Sequence, residues 1–327
     1  MIDDYGRNID YLRVSVTDRC NLRCIYCMPE EGPTLVKRED ILSGQEILRV
    51  CRVMARLGIK KIKLTGGEPL VRGGVTSLVK DLKAVPGIEK VTFTTNGILL
   101  GSNMDALAKA GLDGLNISLD TLDENCFKTI TRRDQLAMVK AGIRSALPYI
   151  PAVSVKINCV PLGIEGQDLC EIAGIAKETP IHVRFIEMMP IGLGRDFKGM
   201  QEAEVIRMLE RKYGPLKPYT GESLGNGPCH YYTIEGFQGK IGFISAISHK
   251  FCRECNRIRL TSQGYLKTCL QYTAGRDLRR ILRGGGRDED LKNEILSALR
   301  EKPAGHDFLK KGKKDNTESL CMSQIGG

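Results

Sequence analysis

From Leu12 to about Met189, short β-branched runs alternate with amphipathic stretches in which apolar residues recur at three- and four-residue steps. The runs predict six strands: Leu12–Val16, Lys61–Leu64, Lys90–Thr94, Gly114–Leu119, Val153–Val160 and His182–Glu187. Between the first two, Ile47, Cys51, Met54 and Leu57 mark one face of a helix over Ser43–Leu57 that Gly58 ends. Strand and helix in regular alternation predict an α/β fold around a parallel sheet, and six such units make an incomplete, TIM-like (β/α)6 barrel with an open side.

In such a barrel, function sits at the C-terminal ends of the strands. The polar residues fall there. The first strand leads into a cysteine loop, the second into Thr65-Gly66-Gly67-Glu68-Pro69 and the third into Thr94-Thr95-Asn96-Gly97. The fourth ends at Ser118-Leu119-Asp120, the fifth carries Lys156 and Asn158, and the sixth ends at Glu187-Met188-Met189.

After Pro190 the repeat stops, and Tyr213–Gly239 is rich in Gly, Pro and Tyr without a clear period. We therefore divide the chain into a barrel over 1–190 and an α+β extension over 191–327. The extension holds a second cysteine group, a basic helix at Asp277–Arg283, a Gly284-Gly285-Gly286 break, a helix at Glu289–Leu299 and a polar tail.

Composition narrows the classes. The length of 327 residues excludes a small disulfide scaffold. No apolar run is long enough to span a bilayer, and the Met1-Ile2-Asp3-Asp4 start lacks a basic-then-apolar leader, so a cytoplasmic protein without membrane partners is expected. Twelve cysteines in a reducing compartment then point to metal or cluster ligation and buried thiols rather than disulfides. The net charge of +10 suits an anionic partner, although part of it lies in the linker-like run Lys310-Lys311-Gly312-Lys313-Lys314.

Cys20, Cys24 and Cys27 form a C-x3-C-x2-C loop directly after the first strand. Three thiolates on one tight loop can hold three irons of a [4Fe–4S] cluster and leave the fourth open, whereas structural zinc wants four ligands and no histidine is near. Cys252, Cys255 and Cys269 make a second set of three. Alone it fits either a cluster or a zinc ribbon completed by His249, Cys229 or His230; beside the first loop, a second open-iron cluster is the better reading. Cys51, Cys126, Cys159, Cys170, Cys229 and Cys321 remain, most of them expected as buried apolar residues.

The cysteine loop followed by Gly66-Gly67-Glu68-Pro69 resembles the radical S-adenosylmethionine (SAM) enzymes. The second cysteine set, Asn256-Arg257-Ile258-Arg259-Leu260 and the terminal Gly326-Gly327 resemble, over the whole chain, the GTP 3',8-cyclase family of molybdenum cofactor biosynthesis. The resemblance implies a lyase with two [4Fe–4S] clusters, SAM as cofactor and GTP as substrate. A SAM-derived 5'-deoxyadenosyl radical would remove ribose H3', and C3' would then attack guanine C8. The product would be (8S)-3',8-cyclo-7,8-dihydroguanosine 5'-triphosphate.

The same resemblance implies the residue roles. Cys20, Cys24 and Cys27 would hold the SAM cluster, and Cys252, Cys255 and Cys269 the cluster that meets guanine. Tyr26, Gly66, Gly67, Glu68, Ser118 and Met189 would contact SAM. Arg13, Lys63, Thr94, Lys156, Arg184, Arg257, Ile258 and Arg259 would bind GTP, with Arg13, Gly326 and Gly327 also catalytic. Alternation along the strands independently allows Arg13, Lys63, Lys156 and Arg184 to project into the barrel, where a triphosphate needs cationic donors. Lys63 stands where relatives often have arginine, which keeps the charge but not a bidentate grip. An electron donor, a downstream cyclic pyranopterin monophosphate synthase and a homodimer complete the expected partners.

Three alternatives are weighed against this. Another radical SAM enzyme with an auxiliary cluster, such as a peptide-modifying one, would lack the Arg257-Ile258-Arg259 and diglycine combination. A two-cluster electron carrier would need neither barrel nor inward cations. Nucleic-acid binding fits the charge, but aromatics are 6% of the chain and no interleaved aromatic–basic motif is present.

Overall fold

The computed structural model describes residues 1–308 and 317–326. Among the described residues, twelve strands form one sheet: β1 (Tyr11–Ser15), β2 (Lys61–Thr65), β3 (Lys90–Thr95), β4 (Gly114–Ser118), β5 (Ser154–Cys159), β6 (His182–Ile186), β7 (Lys217–Pro218), β8 (His230–Thr233), β9 (Ile241–Ile244), β10 (Arg257–Leu260), β11 (Tyr265–Lys267) and β12 (Gly275–Asp277). Their order is β12-β11-β10-β1-β2-β3-β4-β5-β6-β9-β8-β7, and β1 to β6 are parallel neighbours in chain order, as six successive βα units require. The six predicted strands lie within one or two residues of these positions.

The helix read from Ser43 to Leu57 spans Gly44–Arg56, and its ends explain themselves. Ser43 Oγ accepts the Glu46 N–H (3.1 Å) while Glu46 Oε2 accepts the Ser43 N–H (2.6 Å), a reciprocal cap. Ile47, Val50, Cys51 and Met54 are buried against the outer face of the sheet.

Alternation sets the rest. Leu12 and Val14, Ile62 and Leu64, Val91 and Phe93, Leu115 and Ile117, Val183 and Phe185 are buried in the main apolar core under the helices. Their neighbours Arg13, Lys63, Thr94, Ser118 and Arg184 line one cavity on the opposite side. A flat sheet could not gather residues of β1 to β6 around a single cavity; the sheet curls into a partial barrel.

The region past residue 191 does not stand apart from that sheet. β10 pairs parallel with β1, and β9 pairs parallel with β6, so the extension lengthens the barrel wall at both ends. The change of repeat at residue 190 marks a change in chain path, not a break in hydrogen bonding. The stretch without a clear period contributes β7 and β8, an antiparallel pair too short to show alternation.

The basic helix spans Leu278–Arg283 and lies against the first helical layer. Arg279 pairs with Asp40 and Arg283 with Glu46, both at 2.7 Å, and Arg49 and Arg56 reach Asp288 at the start of the helix Asp288–Arg300. Its charge is thus partly matched within the chain. Among the described residues no helix is long and apolar enough to cross a membrane. The Lys310–Lys314 run lies outside the described residues.

Candidate functional site

The cavity at the C-terminal ends of the strands holds about 300 Å3. Cys20, Cys24 and Cys27 form part of its wall, next to Tyr26. The loop is held locally: Cys27 and Met28 N–H groups donate to Cys24 O, and Arg23 Nη1 donates to Cys20 O (2.7 Å) and Leu22 O (2.8 Å). Burial pushes the Cys20 thiol up to about 11 and Cys27 to about 12 and raises Cys24, so these sulfurs favour the thiolate only when a positive centre binds them.

Gly66 and Gly67 sit where the turn after β2 crosses the start of that loop. A Cβ on Gly66 would stand 2.5 Å from Thr17 O, and one on Gly67 2.3 Å from Arg19 O. Only glycine permits this approach, and the Gly67 and Glu68 N–H groups use it to donate to Thr17 O and Arg19 O. Both glycines line the cavity.

Glu68 differs from expectation. Its fully buried carboxylate is not part of the cavity wall; it accepts the Asn96 N–H (2.6 Å), the Leu70 N–H (2.9 Å) and the Thr95 hydroxyl (2.8 Å), tying the glycine turn to the end of β3. Burial holds its acid form up to about 7 despite those donors. Glu68 therefore shapes the turn rather than offering a free carboxylate.

Tyr26, Thr94, Ser118 and Met189 line the cavity as expected. The Tyr26 hydroxyl donates to Asp120 Oδ2 (2.7 Å), and Asp120 Oδ1 accepts the Val160 N–H (2.8 Å). Asp120 itself faces the cavity, with burial raising its acid form to about 6. Asp120 and Asn158 were visible as polar strand ends but had no assigned role.

Arg13, Lys63, Arg184, Arg257 and Arg259 also line this cavity. Arg184 is held over the strands by Asn116 Oδ1 (2.7 Å) and Asn158 Oδ1 (3.0 Å from Nε). Arg257 lies over the Phe251 ring, 4.8 Å from its centroid. Lys63, Lys156 and Arg184 form no ion pair among the described residues, and burial together with Arg184 and Arg13 drives the Lys63 ammonium well below the ordinary lysine range.

Two expected contacts fall elsewhere. Lys156 is buried but is not on the cavity wall, its Nζ donating to Ser154 Oγ. The Ile258 side chain packs in the apolar core, because alternation that aims Arg257 and Arg259 inward must aim Ile258 outward.

Cys252, Cys255 and Cys269 line a second cavity of about 100 Å3. Met189, Ile244, Arg257 and Arg259 line both cavities, so the cavity of each cysteine set shares one wall with the other. Burial disfavours the Cys255 thiolate, but Lys302, Arg257 and a backbone N–H outweigh it and bring the thiol to about 7. Sequence reasoning missed Lys302 and His306, which line this cavity far from any motif.

The C-terminal segment reaches the first cavity. Met322 and Ser323 form part of its wall, and Arg259 Nη1 donates to Gly326 O (2.5 Å). Upstream, the buried Glu318 pairs with the buried Lys267, and Arg195 Nη2 donates to Glu318 O (2.7 Å). Gly327 lies outside the described residues. Of the six other cysteines, Cys51, Cys126 and Cys159 are buried, while Cys170, Cys229 and Cys321 are half-buried.

Residues 14–178 match the Radical SAM superfamily and residues 181–308 match Molybdenum Cofactor Synthesis C. The chain is 46% identical to GTP 3',8-cyclase of Clostridium perfringens (strain 13 / Type A) and 43% identical to that of Petrotoga mobilis, each over the full length of both chains. Among solved structures, Streptococcus suis SuiB has the same fold, with a TM-score of 0.60 and 16% identity over 91% of this chain and 67% of that one. With full-length relatives at this identity, the two cysteine sets and their shared wall belong to a chain that is a member of the GTP 3',8-cyclase family of radical SAM enzymes.

Proposed function

We propose that this chain converts GTP to the 3',8-cyclised dihydroguanosine triphosphate, with one [4Fe–4S] cluster held by Cys20, Cys24 and Cys27 and another by Cys252, Cys255 and Cys269. The residues fit both groups. Each triad is all thiol and lines a cavity rather than a closed core, the donor set that a three-cysteine [4Fe–4S] site uses. When bound, the first cluster and SAM supply a carbon radical that can take a ribose hydrogen from the nucleotide.

The chain's own residues hold the reactants. The backbone of Gly66 and Gly67 offers acceptors to the SAM ammonium, while Tyr26, Ser118 and Met189 enclose the rest of SAM. Asp120 fixes the Tyr26 ring through its hydroxyl. Arg13, Lys63, Arg184, Arg257 and Arg259 present cations to the triphosphate, with Thr94 as a further polar contact, and Lys156 adds charge from below the wall. Because Lys63, Lys156, Arg184 and Arg259 are buried and Arg13 and Arg257 half-buried, their attraction to phosphate is weakly screened. Gly326 brings side-chain-free backbone to Arg259.

The shared wall carries this reading. A nucleotide gripped by Arg257 and Arg259 reaches both cavities at once, its ribose toward the first triad and its base toward the second. An external one-electron reductant and a downstream enzyme that takes the cyclised nucleotide belong to the same reading. Replacement of Arg257 by alanine tests it: 5'-deoxyadenosine formation should continue while cyclised product falls at least tenfold, and unchanged GTP turnover would remove Arg257 from the substrate site.

A further inference from the structure

Behind the second cysteine set lies a segment that no motif marks. Lys302 is 3% exposed, and its Nζ donates to Cys255 Sγ (3.5 Å), Arg257 O (3.1 Å) and Thr268 O (2.6 Å). Three protons of one ammonium thus meet three acceptors, one a thiol of the set and another the carbonyl next to Cys269. Four residues on, the His306 N–H donates to Cys252 Sγ (3.5 Å). Gly305 makes room for this: a Cβ there would stand 3.3 Å from Cys252 Sγ.

The segment is also pinned from outside. Arg7, itself buried and paired with Asp3 at 2.6 Å, donates to Pro303 O (2.8 Å), Ala304 O (3.0 Å) and Cys252 O (3.0 Å). One guanidinium therefore fixes the segment 302–306 to the cysteine loop. A lysine used only to fill space would not place its head on a ligand sulfur, a strand carbonyl and the carbonyl beside a second ligand.

We propose that Lys302 is a positioning residue for the second cluster: with the His306 N–H, it supplies hydrogen bonds and positive charge to the Cys255 and Cys252 sulfurs and so makes that cluster easier to reduce. Hydrogen bonds and charge at ligand sulfurs are among the levers that set such potentials. This rests on the reading of Cys252, Cys255 and Cys269 as ligands. In that reading Lys302 acts through the sulfurs.

The test uses the full chain carrying Cys20→Ser, Cys24→Ser and Cys27→Ser, so that only the second set can bind iron. About four irons per chain in this background establish the ligand reading; failure to load overturns it and the Lys302 proposal together. Lys302→Gln, Lys302→Met and Lys302→Arg are then compared by redox titration followed by electron paramagnetic resonance. Both uncharged variants should shift the midpoint to more negative potential, and Lys302→Arg should stay close to the parent. Two uncharged variants are measured so that the answer does not hang on one that folds poorly. Equal midpoints for the parent and an iron-loaded uncharged variant would overturn the proposal while leaving the ligand reading intact.

Discussion

Arg13 on β1 stands in register with Arg259 on β10, and on its other side with Lys63 on β2, so three cationic side chains share one row across three parallel strands. All three line the cavity, and Lys63 and Arg259 are each under 10% exposed. Burial, then the neighbouring arginines, push the Arg259 and Lys63 charges toward loss. Such a row is unfavourable until an anion fills it.

Replacing Lys63 by methionine should therefore stabilise the nucleotide-free protein while harming binding. The expected gain is about 1 kcal/mol, roughly 2 °C in the thermal midpoint. GTP affinity measured by calorimetry should fall at least tenfold. A variant that loses stability and keeps GTP affinity would show that Lys63 is structural.

GTP binding should take up protons. Burial and then Arg184 bring Lys156 down to about 7, with Cys229 opposing and Lys90 assisting, and Lys63 is shifted in the same direction. A lysine depressed in the folded state binds fewer protons than in the unfolded chain above pH 7. Its charged form destabilises the fold fully below about 7, and that penalty fades as pH rises toward the ordinary lysine value. A bound triphosphate reverses the depression. Near pH 8, calorimetry in buffers of different ionisation enthalpy should report about one proton taken up per GTP, with affinity falling as pH rises. Zero uptake would contradict a phosphate seat beside these lysines.

Iron content should divide between the two cysteine sets. Cys24→Ser and Cys255→Ser should each reduce reconstituted protein from about eight irons to about four. Only Cys24→Ser should abolish 5'-deoxyadenosine. A Cys255→Ser variant with full iron would exclude the second set from ligation.

Gly326 adopts φ +78, and an added Cβ would lie 3.0 Å from Ser15 Cβ and 3.4 Å from Thr65 Cγ2. Gly326→Ala should cost about 1 kcal/mol or more locally, displacing the carbonyl that Arg259 holds. Turnover should drop at least tenfold with iron content and melting temperature nearly unchanged, since the tail is anchored upstream by the Lys267–Glu318 pair. Full activity would remove the tail from the site.

The barrel was legible because two periods carry it: alternation in β1 to β6 and the three- and four-residue steps between them. The same alternation correctly aimed Arg13, Lys63 and Arg184 inward and, had it been applied to β10, would have sent Ile258 outward. What escaped was tertiary. Glu68 sits in a motif whose spacing says nothing of where its carboxylate points, and the partners waiting at Thr95 and Asn96 decide that. Lys302 and His306 approach the second cysteine set only after the chain has run through two helices, and no local pattern encodes such a return. β9 and β10 are four residues each, too short to announce that they extend the barrel wall.

The most direct test of the central claim is anaerobic turnover of iron-loaded protein with a strong reductant, SAM and GTP deuterated at C3', read by mass spectrometry. The account predicts one deuterium in 5'-deoxyadenosine and a cyclised nucleotide formed in step with it. Deoxyadenosine without deuterium, and no cyclised nucleotide, would contradict a site in which the Arg257–Arg259 wall presents the GTP ribose to the first cysteine set.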